Sequence, residues 1–429
     1  MPFCQVIVDI NHTDVDHVFT YRVPAGLDVC PGMRVHVPFG PRKLEGVVVE
    51  MAADCDLPPE RVKDICDTLE DYPAVLPPLL ELAKEIQRTS FCTLAVALRL
   101  MFPAQMRGQR IREKQQEVAV LTVAPDVLGQ VIAAQVRAPK RAKVLRALAD
   151  APDMELTTAA LRETVGDCRD ALNALCKMGF VKLEKRESLR RPYGEMERLS
   201  AQDPELTRQQ EDVLAELLPA VETGKGEFLL YGVTGSGKTE VFIRAVRRAA
   251  QMGKTAIVLV PEIALTPQMV SWFRSRFGED AAVLHSRLSP GERYDEWRRI
   301  RRGDVRVVIG ARSAIFAPLQ NVGLIIIDEE HEQSYIADNN PHYDARRLAH
   351  ERCAREGAAL LLASATPSMR SFAMAGRGDL RLLEMPRRVN NRPMPTVHVV
   401  DMREELKKGN RSVFSGALSL GREAVSGYQ

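Results

Sequence analysis

Residues 227–251 read EFLLYGVTGSGKTEVFIRAVRRAAQ. A continuous apolar run breaks at a glycine-rich loop and resumes as a helix-periodic segment. A strand that is apolar at every position needs cover on both faces, which means a parallel sheet with helices packed on each side. Similar runs recur as TAIVLV, AAVLH, VRVVIG, GLIIID and AALLLAS, each separated by helix-like sequence. The expectation for residues 200–380 is therefore an α/β RecA-like P-loop NTPase lobe built on a parallel sheet. Within it GVTGSGKT fits the pattern G-x-x-x-x-G-K-[ST] between a strand and a helix, a frame that an incidental glycine turn rarely has. Glycine lets the main-chain N–H groups turn inward around phosphate oxygens at the helix N-terminus. Gly232, Val233, Thr234, Gly235, Ser236, Gly237, Lys238 and Thr239 are thus candidates to hold a nucleotide triphosphate, ATP. Lys238 is placed for the β and γ phosphates, and the Thr239 hydroxyl for Mg2+.

The run VGLIIIDEEH poses a second question, because burying adjacent carboxylates costs several kcal/mol unless a cation compensates. In a parallel sheet, ligands bind beyond the carboxyl ends of the strands. Asp328 would then hold Mg2+, and Glu329 would orient the attacking water. Glu330 reads as structural, and His331 as a sensor of the γ phosphate. Ser364 and Thr366 in LLASATPS end another apolar strand and can hydrogen-bond this cluster. Gln210, ahead of the first strand, is a candidate for reading the adenine edge.

The remaining sequence divides by pattern. With 429 residues the chain is too long for one core. Residues 1–104 open with short β-branched runs (QVIVDI, HVFTYRVP, MRVHVPFG, LEGVVVEM) that suggest a small β-barrel-like domain, followed by helical periodicity over 78–102. Residues 105–138 begin rich in Arg and Lys and read as a linker. Residues 139–195 read as three helices and a basic β-ribbon, a winged-helix layout (α+β) that serves DNA contact or protein contact equally. Residues 381–429 read as a linker and the start of a truncated second lobe. The net charge of +2 does not by itself advertise nucleic acid. The 8 cysteines form no CxxC pair, so no zinc site is readable. MPFCQVIVDI lacks the basic and apolar regions of a leader, and no apolar run approaches a membrane span, so the expectation is cytoplasmic. Aromatic rings, though only 5% of the chain, recur between 272 and 343 together with Arg298, Arg299, Arg301, Arg302 and Arg306. Such interleaving suits single-stranded nucleic acid. Tyr335 and Tyr343, in SYIADNNPHYDARR, are the candidates for stacking on bases.

GVTGSGKTEVF, VLVPEIALTPQ, LHSRLSPGERYDEW, GARSAIFAPLQNVGLIIIDEEHEQSY, YDARRLA, SATPS and PTVHVVDMREE together closely resemble the PriA family of replication-restart primosomal helicases. TYRVP and GMRVHVPFG extend the likeness to the N-terminus. The resemblance implies a superfamily 2 helicase of 3′→5′ polarity, using ATP and Mg2+, that recognises stalled or abandoned forks and starts primosome assembly. It implies an N-terminal domain (1–104) holding the 3′ DNA end around Phe19, Tyr21, Phe39 and Gly40, with Thr20 where some members are acidic. It implies forked and single-stranded DNA, primosome proteins, a replicative-helicase loader and single-strand binding protein as partners, and a Ser334–Arg346 loop coupling DNA to ATP. Family members also carry a second motor lobe with arginines that complete the ATP site, and zinc on cysteine pairs; those cysteine ligands are absent from this chain. The expectation is a chain that binds ATP and forked DNA but hydrolyses slowly and unwinds nothing alone. A nucleotide-switched fork-binding scaffold is the alternative.

Overall fold

The computed structural model describes residues 2–55, 57–109, 115–188, 190, 203–389 and 399–418. Two compact units are present, Met1–Pro386 and Arg387–Gln429.

The first unit begins with a five-stranded antiparallel sheet of order β2-β1-β4-β3-β5, formed by β1 (Phe3–Val8), β2 (Phe19–Arg22), β3 (Arg34–Phe39), β4 (Arg42–Ala52) and β5 (Asp67–Thr68). The sheet curls strongly. Phe19 of β2 and Phe39 of β3 meet edge to face at 5.2 Å although β1 and β4 lie between their strands. Beyond β2, the Arg22 N–H donates to Lys63 O (2.9 Å) and the Ile65 N–H donates to Arg22 O (3.0 Å). The helical periodicity over 78–102 resolves into two helices, α1 (Pro77–Ser90) and α2 (Leu94–Leu98). They are separated at Phe91, whose φ of 49° ends the first.

Next come β6 (Gln115–Leu121), α3 (Pro125–Ala134), α4 (Pro139–Ala149), β7 (Glu155–Thr157), α5 (Thr158–Val165), α6 (Arg169–Lys177) and β8 (Val181–Glu187). This corrects the linker expectation for 105–138. β6 is the central strand of a three-stranded antiparallel sheet, β7-β6-β8, and Ala119 and Leu121 sit in the core of that module. The basic run ahead of β6 hid it, and 110–114 of that run lie outside the described residues. Thr157 caps α5, its Oγ1 accepting from the Ala160 N–H (3.1 Å). The basic ribbon is also different from expectation, because β8 pairs with the distant β6 and no local hairpin partner is needed. Its end falls partly outside the described residues.

The third region comprises α7 (Arg208–Thr223), β9 (Glu227–Gly232), α8 (Lys238–Gln251), β10 (Thr255–Leu259), α9 (Pro267–Phe277), β11 (Ala281–Leu284), α10 (Pro290–Arg302), β12 (Val307–Gly310), β13 (Val322–Ile327), α11 (Ala345–Glu356), β14 (Ala359–Ser364), α12 (Met369–Arg377) and β15 (Arg381–Met385). Its seven-stranded sheet has the order β11-β12-β10-β13-β14-β9-β15, and every pairing is parallel. Burial on both faces explains the uninterrupted apolar runs. Val322–Ile327 and Ala359–Ser364 are buried at every position. β15 lies beyond the expected boundary at 380, because it adds to the sheet beside β9. The second unit includes the helix α13 (Met402–Lys407), started by Asp401 accepting from the Arg403 N–H (2.9 Å). No described helix is long and apolar enough to cross a membrane.

Candidate functional site

The loop after β9 turns through Gly235 (φ 82°) and Gly237 (φ 86°), and α8 starts at Lys238. A Cβ on Gly232 would meet Ser236 Oγ at 2.9 Å, so the loop packs too closely there for a side chain. Thr234 and Gly235 are exposed at the tip, and Val233, Gly237 and Thr239 are half-buried. Lys238 Nζ donates to Gly232 O (2.9 Å) and stands 3.9 Å from Glu329 Oε1. The ends of β9 and β13 therefore converge, although β14 separates the two strands. Ser236 Oγ is buried and without a hydrogen-bond partner. An orphaned hydroxyl beside inward-turned main chain fits a cradle whose acceptor arrives with a ligand.

Asp328 is 8% exposed, and burial, reinforced by Glu329, pushes its carboxyl up to about 6. Lys238 opposes that shift. A carboxylate held away from water with a Lys and a second carboxylate beside it suits Mg2+, whose charge would lower its proton affinity. Glu329 adopts φ 44°, and its N–H donates to Asp328 Oδ1 (3.0 Å). A non-glycine residue in left-handed backbone is strained, and such strain clusters at functional sites. His331 Nδ1 pairs with Ser364 Oγ (2.8 Å), which also accepts the Thr366 N–H (2.9 Å). Thr366 Oγ1 lies 3.5 Å from His331 Nε2. Gln210 is tied at both ends of its amide: Oε1 accepts the Thr207 N–H (2.8 Å) and Nε2 donates to Gly237 O (3.2 Å). It caps α7 and braces the glycine loop, so both ends of the amide are already engaged in this structure.

Tyr335 requires correction as a stacking residue. It is 0% exposed, and its hydroxyl bridges Asp328 O (2.6 Å) and Leu259 O (3.2 Å). A phenol surrounded by apolar residues cannot offer its face to a base, whereas it does brace the strand end bearing Asp328. Tyr343 is half-buried edge-on to Phe316 (5.1 Å). The Arg298–Arg306 series also loses its nucleic-acid reading in large part. Arg298 and Arg299 are buried, and Arg301 stacks over Tyr72 (5.4 Å). Phe273 and Phe277 are core. In the first sheet Tyr21 is 4% exposed with its hydroxyl donating to Pro38 O (3.4 Å). Phe19 and Phe39 are half-buried, and Gly40 is exposed at the β3–β4 turn.

Three arginines escaped the sequence reading. Arg287 donates to Leu265 O (3.2 Å), Arg293 to His285 O and Ser286 O (3.2 and 3.0 Å), and Arg312 to Ser334 O and Ile336 O (3.2 and 2.5 Å). Neutral carbonyls orient these cations without cancelling them. The nearest carboxylate to Arg312, Asp338, stands 4.0 Å away and is 92% exposed. A cavity of about 370 Å³ opens beside them, lined by Arg99, Glu262, His285, Arg293, Arg312 and Tyr343 among others. Burial and the Arg287 cation push His285 down. The signal was available: VVIG-AR and AVLH-SR each place an arginine just past a strand end.

Among the described residues no group of His, Cys, Asp and Glu is arranged to hold a metal by itself. A Mg2+ that shares its coordination with phosphate needs only one or two carboxylates, which Asp328 and its neighbour supply.

A family model for the 3′DNA-binding domain of PriA matches residues 5–103, and that of the DEAD/DEAH box helicases matches residues 207–375. The replication restart protein PriA of Bacillus subtilis is 35% identical across 97% of this chain and 59% of its own length. That of Synechocystis is 36% identical across 97% and 58%. That of Treponema pallidum is 45% identical across 48% and 33%. The chain spans a little under three fifths of the first two relatives (59% and 58%). On these matches the chain belongs to the PriA family, joining its 3′DNA-binding domain to a DEAD/DEAH box helicase lobe.

Proposed function

We propose that this chain binds Mg-ATP between the 232–239 loop and Asp328–Glu329 and engages DNA, as part of an ATP-dependent 3′→5′ helicase of replication restart. The observation that supports it most is the approach of Lys238 Nζ to Glu329 at 3.9 Å, which puts phosphate-binding and water-activating groups at one point. Bound Mg2+ would supply charge stabilisation of the leaving phosphates, with Thr239 and Asp328 as its protein ligands. Lys238 neutralises phosphate charge, Glu329 orients water, and His331 with Ser364 and Thr366 registers the γ position. Single-stranded DNA would follow the ends of β10, β11 and β12, where Arg287, Arg293 and Arg312 present charge to the phosphodiester backbone. Phe19, Phe39 and Gly40 would hold a 3′ end, with the buried Tyr21, a core residue 4% exposed, supporting them from behind rather than touching it. The module at 115–187 would act as the winged helix on duplex, and primosome proteins, a helicase loader and single-strand binding protein would be partners.

Calorimetric titration of Mg-ATP tests the first claim. Binding is expected for the native chain and none for Lys238→Ala; heat-free titration of the native chain overturns the reading. Arg312→Ala with Arg293→Ala should lower the slope of log affinity for single strands against log salt by about 1–2. Mg-ATP affinity should fall as pH drops through about 6, because protonated Asp328 cannot ligate Mg2+.

A further inference from the structure

Glu330 sits between Glu329 and His331, yet faces away from both. Its carboxylate is 0% exposed, and among the described residues its hydrogen-bond donors all come from the start of α12. Oε1 accepts the Ser368 N–H (2.6 Å), and Oε2 accepts the hydroxyls of Ser368 (3.1 Å) and Ser371 (2.8 Å). Its own main chain is held as tightly. The Glu330 N–H donates to Ala363 O (3.0 Å), and Arg346 Nη1 donates to Glu330 O (2.8 Å). A carboxylate buried this completely is tolerated because two hydroxyls, one amide and the helix N-terminus all stabilise its charge.

The strand that follows the same helix returns to the nucleotide site. α12 leads into β15, and the Val233 N–H of the glycine loop donates to Met385 O (3.1 Å) at the end of that strand. Phe372 of α12 packs edge-on to Tyr231, one residue before the loop (6.3 Å). The contacts form a ring: β13 to α12 through Glu330, α12 to β15 through the chain, β15 to the loop through Met385, and the loop back to β13 through Lys238 and Glu329. Glu330 is the one link in that ring that depends on a buried charge. Removing it leaves two serine hydroxyls and a helix start without this acceptor, while no side chain facing the nucleotide is itself removed.

We infer that Glu330 is a positioning residue: it keeps the α12–β15 unit, and through it the glycine loop, in register with Asp328 and Glu329. The inference rests on the nucleotide reading above. Displacing the loop relative to Asp328 is expected to cost about 10-fold in affinity for Mg-ATP, the scale on which residues that orient metal ligands act.

Two measurements on the intact chain, taken well below each variant's melting temperature, test it. Glu330→Ala should weaken Mg-ATP binding about tenfold in calorimetry, and Glu330→Gln, which keeps an acceptor for the Ser368 N–H, should restore most of it. Hydrogen exchange should quicken at the 235–239 amides in Glu330→Ala, although Glu330 touches none of them. Quickening confined to α12, with Mg-ATP affinity unchanged, would show a merely structural cap and overturn the inference. If Glu330→Ala does not fold, Ser371→Ala removes one donor and is judged by the same two criteria. A native chain that binds no Mg-ATP refutes the nucleotide reading, and the exchange pattern at 235–239 then still decides the role of Glu330.

Discussion

Two junctions fasten other parts of the first unit to the parallel-sheet lobe, and they are made of different materials. At the first, α1 and α2 share a continuous apolar core with the lobe: Leu79, Leu82, Ile86 and Leu98 belong to the same cluster as Trp297, Phe316, Leu348 and Leu360. Polar contacts decorate it, with Trp297 Nε1 donating to Met101 O (3.4 Å) and Arg301 Nε to Pro73 O (2.8 Å). At the second, the 115–187 module keeps a core of its own, none of whose buried members comes from the lobe. It reaches α10 through charges. Glu187 lies 2.6 Å from the buried Arg298, at an angle poor for a hydrogen bond, and 2.9 Å from Arg302. Asp295, 1% exposed, accepts both the main-chain N–H (2.8 Å) and the guanidinium (3.1 Å) of Arg190. The apolar junction gains free energy in proportion to area, and its separation would expose that area to water. The ionic junction gains little net energy, because desolvation offsets attraction, and separation returns its charges to water. The first joins two regions through one apolar core, and the second holds a module that has a core of its own.

The sharpest way to break this comparison is Leu82→Ala. It should cost about 2–5 kcal/mol and lower one shared melting transition of the first domain and the lobe. Two separate transitions, with the lobe unaffected, would deny a common core. Next, Glu187→Lys should release the 115–187 module without unfolding it, seen as a larger radius of gyration in scattering and an unchanged transition for the lobe. An unchanged radius would mean that other contacts carry the docking.

The smallest effect concerns the polar knot inside the apolar side. Arg34, 2% exposed, holds Glu45 and Glu70 at 2.8 Å each. Burial pushes Glu70 up to about 7, against the pull of Arg34. The folded state therefore binds this proton more tightly than the unfolded chain, so stability declines as pH rises from 4.5 through about 7 and is level above it. The loss is at most on the order of 3 kcal/mol. Glu70→Gln should melt higher than the native chain at pH 8 and equally at pH 4.5; an identical pH profile for both would remove Glu70 from the account.

Much of the site was legible because its parts are local. The glycine loop needs a strand, a turn of fixed length and a helix within 25 residues, and VGLIIIDEEH announces a buried strand ending in charge. Gly237 and Lys238 stand where that pattern puts them. Burial across the fold was not legible. Tyr335 in a polar loop looked exposed, yet its ring fills space under Asp328. Arg298 and Arg302 looked like a basic face, yet both meet Glu187, more than a hundred residues earlier in the chain.

The sequence by itself determined the kind of sheet, through strands apolar at every position, and which polar residues stand at its edge, through residues adjacent in the chain. Tertiary structure alone decided which charges point outward to a ligand and which pair inward. It also decided that the basic run before β6 leads into the middle of a sheet, and that Glu330 serves a helix almost forty residues later. Both outcomes rest on contacts between distant segments, whose free energy appears only when water is excluded between them and which leave no periodicity in the chain.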